Sequence, residues 1–248
     1  ACRLFRAGCS VVMTETAQPT TVRCTVAFSQ AVYRGAADEE GITAVLVQNP
    51  QQALDCVRAG KVAVLVDPEG ACIPALKPDG VVDAILAKRN LGTALTDAPI
   101  VLALGPGFTA GVDCHGVVET KRGHYLGRLI LAGSAIPNTG VPGDIGGYSA
   151  QRIIRATADG IFEPEVEIGQ RVETGALVAR VDGTPVYAAM PGMVRGMLPA
   201  GLRVTQGMKA GDIDSRCEYE HCFTVSDKAR AVGGGVLEGL LYFQSRRG

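Results

Sequence analysis

Apolar residues dominate ITAVLV at 42–47, VAVLV at 62–66 and PIVLAL at 99–104, with polar or glycine-rich stretches between them. Apolar runs of this length predict strands buried on both faces of a parallel sheet. Between the first two, NPQQALDCVRAG carries Asn49 as N-cap and Pro50 in the first turn, which predicts the linking helix. The opening ACRLFRAG reads as the end of a helix with Gly8 in the C-cap place, SVVMTE as the strand that follows, and GVVDAILAKRN as a further strand. This alternation predicts a doubly wound, Rossmann-like α/β domain over residues 1–152, with its first strand and glycine turn missing ahead of residue 1. In such a unit Glu15, at the carboxyl end of a strand, stands where a ribose hydroxyl is bound. The plain alternative is a solvent-facing strand end.

Further on, ADGIFEPEVEIGQRVETGALVARVD at 158–182 and MPGMVRGMLPAGLRVTQGMKAGDID at 190–214 align without a gap. Gly160 matches Gly192, Gly169 matches Gly201, Val172 matches Val204, Gly175 matches Gly207 and Asp182 matches Asp214. One supersecondary unit occurs twice, and two interlocked hairpin units closing one core are expected over 153–216. The pattern resembles the barrel-sandwich hybrid of biotinyl and lipoyl carrier domains. Those carriers modify a lysine at the hairpin joining the halves, where this chain reads VDGTP, and Lys209 falls opposite Leu177 instead. No covalent biotin or lipoyl group is therefore expected. Residues 217–248 read as a strand and a helix packing back on the α/β domain, with Ser226 as N-cap and Ala229, Val232, Val236, Leu237 and Leu240 on the apolar side. Gly233, Gly234 and Gly235 would each cost about 1 kcal/mol in a helix interior. Either the helix starts after them or they admit a close neighbour.

The 24 basic and 25 acidic residues leave a net charge of −1, so no polyanion-binding surplus exists and nucleic acid is not an expected partner. Eight cysteines without a Cys-x-x-Cys read as small buried hydrophobes in a reducing compartment. No apolar stretch approaches the ~20 residues of a spanning helix and no signal peptide is legible, so a cytoplasmic protein without a membrane partner is expected. Cys217, His221 and Cys222 resemble zinc ligands, but adjacent ligands make poor geometry and no matching pair stands elsewhere.

Chemistry-bearing side chains gather in LALGPGFTAGVDCHGVVETKRGH, residues 102–124. Gly105, Gly107 and Gly111 follow a strand and could form the backbone wall of an anion or nucleotide pocket, although β-branched residues follow where a dinucleotide motif would open a helix. Asp113, His115, Glu119 and His124 have metal-ligand side chains, but no resident metal is expected. A third reading is a hairpin, GVVET against GRLIL, joined by a polar turn. The expected site is the rim of a polar pocket with His115, Glu119, Arg122 and His124 as convergent groups, and Lys121, Lys88 and Arg89 as anion holders. Cys114 is the best-placed nucleophile, weighed against an inert buried cysteine.

VVMTE, QPTTVRCTVAFSQAVYRG, VDAILAKRNLGT, DAPIVLALGPGFTAGVDCHGVVETKRGHYLGR, PNTGVPGDIGGYS and SDKARAVGGGVLEGLL together resemble the accessory proteins of the selenium-dependent molybdenum hydroxylase system, the YqeB type. That resemblance implies a maturation factor that helps supply or insert a labile selenium or molybdenum cofactor centre in a xanthine dehydrogenase-like hydroxylase. It implies the apo-hydroxylase as partner and a nucleotide or molybdopterin-related compound as the small anionic ligand. The family opens with a strand and a Gly-Gly-Gly-Asp turn that this chain lacks. A non-catalytic docking chaperone and an NAD(P)- or nucleotide-dependent enzyme on a Rossmann-like fold are the competing expectations.

Overall fold

Helix starts follow the caps that the sequence marks. In the computed structural model, which describes residues 1–140 and 147–247, the Asn49 side chain accepts the backbone N–H of Gln52 at 2.9 Å with Pro50 in the first turn. The Ser226 hydroxyl likewise accepts the N–H of Ala229 at 3.3 Å. Each removes one orphan donor of a helix terminus.

The elements run α1 (Cys2–Arg6), β1 (Val12–Glu15), α2 (Ala31–Arg34), β2 (Ala36–Glu39), β3 (Ile42–Val47), α3 (Pro50–Arg58), β4 (Val62–Val66), α4 (Ile73–Leu76), β5 (Gly80–Asp83), β6 (Ile100–Leu104), β7 (Thr109–Ala110), β8 (Gly116–Val118), β9 (Leu129–Ile130) and β10 (Gly133–Ser134). There follow β11 (Ile153–Arg155), β12 (Gly160–Pro164), β13 (Arg171–Val172), β14 (Leu177–Val181), β15 (Thr184–Tyr187), β16 (Gly192–Met197), β17 (Leu202–Val204), β18 (Lys209–Asp214) and α5 (Asp227–Gln244). They form two compact units, one from Ala1–Thr14, Val47–Gly140 and Ser226–Gly248, the other from Glu15–Leu46 and Val141–Val225. Among the described residues no helix is long and apolar enough to cross a membrane. Residues 141–146, within PNTGVPGDIGGYS, lie outside the described residues.

In the first unit β5, β6 and β8 run parallel and β9 returns antiparallel beside β8. Strand alternation sends β6 into two cores. Val101 and Ala103 pack with Phe108, Ala110, Cys114 and Val117, while Ile100 and Leu102 pack with Val118 and with Val232 and Val236 of α5. The glycines of α5 are inside the helix and two of them serve close approach: a Cβ at Gly239 would lie 2.9 Å from Leu102 Cδ1, and one at Gly235 would collide with the carbonyl oxygen of Gly127, while nothing lies within 4 Å of one at Gly234. A smaller core of Val47, Ala53, Ala63, Leu65 and Cys72 joins α3 to β4.

The second unit contains two four-stranded sheets, β11-β18-β16-β13 and β15-β14-β12-β17, around Phe162, Met190, Leu198 and Ile213. The two copies of the repeat exchange strands. β12 pairs with β17 of the other copy through Gly160 and Val204, and β16 pairs with β13 through Gly192 and Val172. Gly160 (φ 152°) and Gly192 (φ 155°) share a backbone state, and a Cβ at either would strike Asp182 or Asp214, themselves matched positions. The joining turn is Asp182-Gly183 at φ 43° and 81°, a two-residue hairpin between β14 and β15.

A Rossmann-like parallel sheet followed by a barrel-sandwich-hybrid module is not the architecture. Strands of the first 134 residues are dealt among three sheets of four, two and four strands, with β9 and β2 in antiparallel pairs. The parallel neighbours β5 and β6 are joined without a helix, and β6 reaches β8 through β7 alone. Cover for their sheet arrives instead from α5 at the far end of the chain, so the helix-crossover logic of a doubly wound fold does not operate. Nor does the β part close on itself over 153–216. Its unit takes in Glu15–Leu46, with the Met197 N–H donating to the Val22 carbonyl at 2.7 Å and a β-bridge from Arg23 to Met197.

Glu39, in the β2–β3 hairpin, is 4% exposed. Burial pushes its carboxyl up to about 7, against the pull of the Ala27 N–H and Arg23. A carboxyl whose folded pKa is raised favours the folded state at low pH and opposes it as pH climbs from the unfolded value through the folded one. Glu39→Gln should therefore gain stability over the native chain by up to roughly 3 kcal/mol between pH 4.5 and pH 8, measured by urea unfolding at both pH values. A pH-independent difference would contradict this.

Candidate functional site

Three parallel strands end side by side at Asp83, Leu104 and Val118. The segments that follow them carry Lys88, Arg89, Gly105, Gly107, Gly111, Asp113, Glu119 and Arg122 to one sheet edge, the usual ligand end of a parallel sheet. What the side chains do there differs from the sequence expectation. Gly107 (φ 109°) gives its side-chain space to the protein's own backbone: a Cβ would lie 2.5 Å from Arg89 N and 2.6 Å from Lys88 C. Thr120 fills the equivalent space at Gly105, its Oγ1 2.5 Å from a Cβ built there, while nothing lies within 4 Å of one at Gly111.

Polar residues that pattern reading passed over hold this edge together. Asp83 accepts the N–H of Ile85 at 3.0 Å and the hydroxyl of Thr93 at 2.7 Å. Asn90 accepts the N–H groups of Gly92 and Thr93, both at 2.8 Å, and donates to the Thr93 carbonyl. Asp113 accepts the Thr109 N–H at 2.7 Å and a longer bond from Asn90 at 3.5 Å. The available signal was compositional, since Asp and Asn ahead of glycine and threonine form local side-chain turns.

Four of the sequence-derived candidates, Glu119, His115, Arg122 and Cys114, are engaged by the fold. Glu119 is 2% exposed, with one carboxylate oxygen accepting the Lys121 N–H at 2.7 Å and the other the Ile136 N–H at 2.8 Å. His115 accepts the Val101 N–H on Nδ1 at 2.9 Å and meets Phe243 edge-on, so its ring proton sits on Nε2. Arg122 grips Asp227, the first residue of α5, through two bonds of 2.7 and 3.2 Å. His124 is exposed against Tyr125 and Lys121 is exposed. Cys114 is fully buried, and burial, then Asp113, push its thiol up to about 11. At neutral pH it is a thiol and a poor nucleophile. GVVET does pair with GRLIL as a hairpin, Val117 opposite Ile130 and Val118 opposite Leu129.

Lys228, at the start of α5, joins this charged edge, although pattern reading gave it no site role. Burial lowers its ammonium, Arg122 and Lys88 lower it further, and Glu119 and Asp227 oppose them. An open groove of about 550 Å³ adjoins, lined by Tyr125, Arg128, Leu131, Ser134, Ile136 and, of the expected residues, Glu119. Glu15 falls in the second unit, where its carboxylate accepts the Thr16 N–H at 3.0 Å and burial raises it. Also in that unit, Cys222 is buried with its thiol facing the Val194 carbonyl, and Lys209 lies in β18 beside Asp212. Among the described residues no three His, Cys, Asp or Glu side chains converge as metal ligands.

No family model matches the chain. It is 51% identical over 241 residues to "Uncharacterized protein YqeB" of Escherichia coli (strain K12), an alignment taking in 97% of this chain and 44% of that protein. In sequence the chain is YqeB-like. It spans less than half the length of that relative. Among solved structures, a succinylglutamate desuccinylase/aspartoacylase from Rhodobacter sphaeroides is similar over 82% of this chain and 84% of that one, at 15% identity and TM-score 0.28. The product-bound ectoine utilization protein EutE (DoeB) from Ruegeria pomeroyi matches over the same shares at 13% identity and TM-score 0.28. A succinylglutamate desuccinylase from Silicibacter matches over 34% of this chain and 27% of that one, at 27% identity and TM-score 0.24.

The two glycines should respond differently to the same change. Gly107→Ala forces the Lys88–Arg89 backbone away and should cost about 3 kcal/mol or more, whereas Gly111→Ala meets only backbone strain and should cost about 1 kcal/mol. Equal losses in chemical denaturation would refute the close-packing role of Gly107.

Proposed function

We propose that this chain is an accessory protein for the maturation of selenium-dependent molybdenum hydroxylases, acting by holding the apo-hydroxylase while its labile centre is supplied. The sequence resemblance is what suggests this setting; the 51% identity to YqeB supports the YqeB type alone. One observation favours holding over catalysis: four of the side chains that pattern reading marks for chemistry are engaged inside the fold. The Glu119 carboxylate is taken by two backbone N–H groups, His115 by the Val101 N–H, Arg122 by Asp227, and the Cys114 thiol by burial. A catalytic group must present a free lone pair or proton to substrate.

Surface for a partner is plentiful by comparison. The second unit exposes Tyr187 at 56% and Tyr219 at 60%, the latter packed on Phe223 at 4.8 Å between ring centres, and its sheets end in the short edge strands β11, β13, β15 and β17. Aromatic side chains and strand edges are the recurrent anchors of protein recognition. The balanced net charge supports a protein partner over a nucleic acid. Eight cysteines without a disulfide, three of them buried, support a cytoplasmic setting. A small anionic ligand has room in the groove beside Glu119, with Arg128 at its wall.

The decisive experiment measures hydroxylase activity and selenium content in cells carrying Cys114→Ser, or His115→Ala with His124→Ala, alongside capture of the apo-hydroxylase by the purified chain. Capture should occur, and maturation in the Cys114→Ser strain should stay within about twofold of native. A fall of about tenfold or more with a normally folded variant would replace holding by chemistry at Cys114.

A further inference from the structure

We propose that residues 84–92 form a docking surface for a segment of a partner protein that presents apolar side chains flanked by carboxylates. The inference stands on this loop and not on the hydroxylase reading. Ile85 is 60% exposed, Leu86 50% and Leu91 53%, and Val112, next to the Asp113 that meets Asn90, is 69% exposed. Three large apolar side chains are exposed within seven residues of one loop, with Val112 brought near through the Asn90–Asp113 contact, where a single exposed leucine would need no explanation.

The loop is fixed in that exposed form. Leu86 and Lys88 occupy the left-handed region at φ 60° and 63°, a state that branched and long side chains adopt at a cost. Asp83 holds the N–H of Ile85 at the entry, Asn90 holds those of Gly92 and Thr93 at the exit, and the Lys88–Arg89 backbone sits in the space left by Gly107. These contacts brace the loop with Leu86 and Leu91 exposed, which lowers the ordering cost of binding.

Charge selects the partner. Lys88 and Arg89 are exposed between the leucines, and neither is paired with a carboxylate of a described residue. The nearby acids are committed elsewhere: Asp83, Asp113 and Glu119 to backbone N–H groups, Asp227 to Arg122. Lys228 lies close enough to Lys88 for the two ammonium groups to repel. An edge with apolar side chains interleaved with unpaired cations fits an acidic, apolar segment. A bilayer would engage a longer apolar face than these few residues offer.

The test uses the whole chain and a fluorescent peptide whose leucines are flanked by glutamates on the same face, its lysine-for-glutamate twin, and vesicles of phosphatidylcholine with phosphatidylserine. The glutamate peptide should bind about tenfold or more tightly than its twin and weaken with salt. Leu86→Gly and Leu91→Ser should each weaken it about tenfold, and Lys88→Glu with Arg89→Glu should reverse the preference. Leu86→Gly relieves a left-handed residue, so its loss of binding cannot be laid to misfolding. The proposal is overturned by equal binding of the two peptides, by binding that the variants leave unchanged, by binding of the vesicles alone, or by variants that affect only self-association of the chain.

Discussion

α5 lies close on the sheet of its unit because Gly235 faces the Gly127 carbonyl, where a Cβ would collide with backbone, and Gly239 faces Leu102, whose side chain would have to shift to admit one. That close approach substitutes for the missing crossover helices. With α5 seated, Leu102, Val118, Val232 and Val236 close one core, and the opposite face of β6 is left to the core around Phe108 and Cys114. The helix also delivers Asp227 to Arg122 and Lys228 to the edge where three parallel strands end. Propensity alone argues against three successive glycines in a helix. Packing at Gly235 offsets part of the cost, because tertiary burial and not intrinsic helicity stabilises most helices in folded proteins, while Gly234 faces open space.

The second unit is organised by a different constraint, the burial of paired charges. Asp212 and Asp214 are each 3% exposed. Arg152 donates to both oxygens of Asp212 at 2.8 and 3.0 Å, while Arg216 and Arg195 hold Asp214. Burial pushes the Asp214 carboxyl up, but the two guanidinium groups outweigh it and hold it down, at about 2. Arg23, from the Glu15–Leu46 segment, donates to the carbonyls of His221 and Thr224. Removing one member of such a cluster leaves a buried charge uncompensated, so these contacts specify one arrangement more than they add net stability.

The sheet edge with the glycine loop looks chemical in composition and is structural in its bonding. Glycines that would cradle a phosphate in another setting here admit a neighbouring loop and a threonine side chain. Carboxylates that would bind metal accept backbone N–H groups instead. The same economy leaves a braced, cationic and apolar loop facing outward.

Much was legible in the sequence by itself, wherever one local rule settles one local outcome. The caps at Asn49 and Ser226, the strands at 42–47, 62–66 and 100–104, the GVVET/GRLIL hairpin and the two-copy repeat are readable because capping, side-chain alternation and turn chemistry act within a few residues. Tertiary structure decided the rest. It set which copy of the repeat supplies a strand to which sheet, the docking of 15–46 in the β unit, the seating of α5 on distant strands, and the bonding partners of Glu119, His115 and Arg122. Each of these joins residues far apart along the chain, and a contact of that kind leaves no periodicity or spacing behind, since its energy depends on surfaces that meet only after the intervening chain has folded.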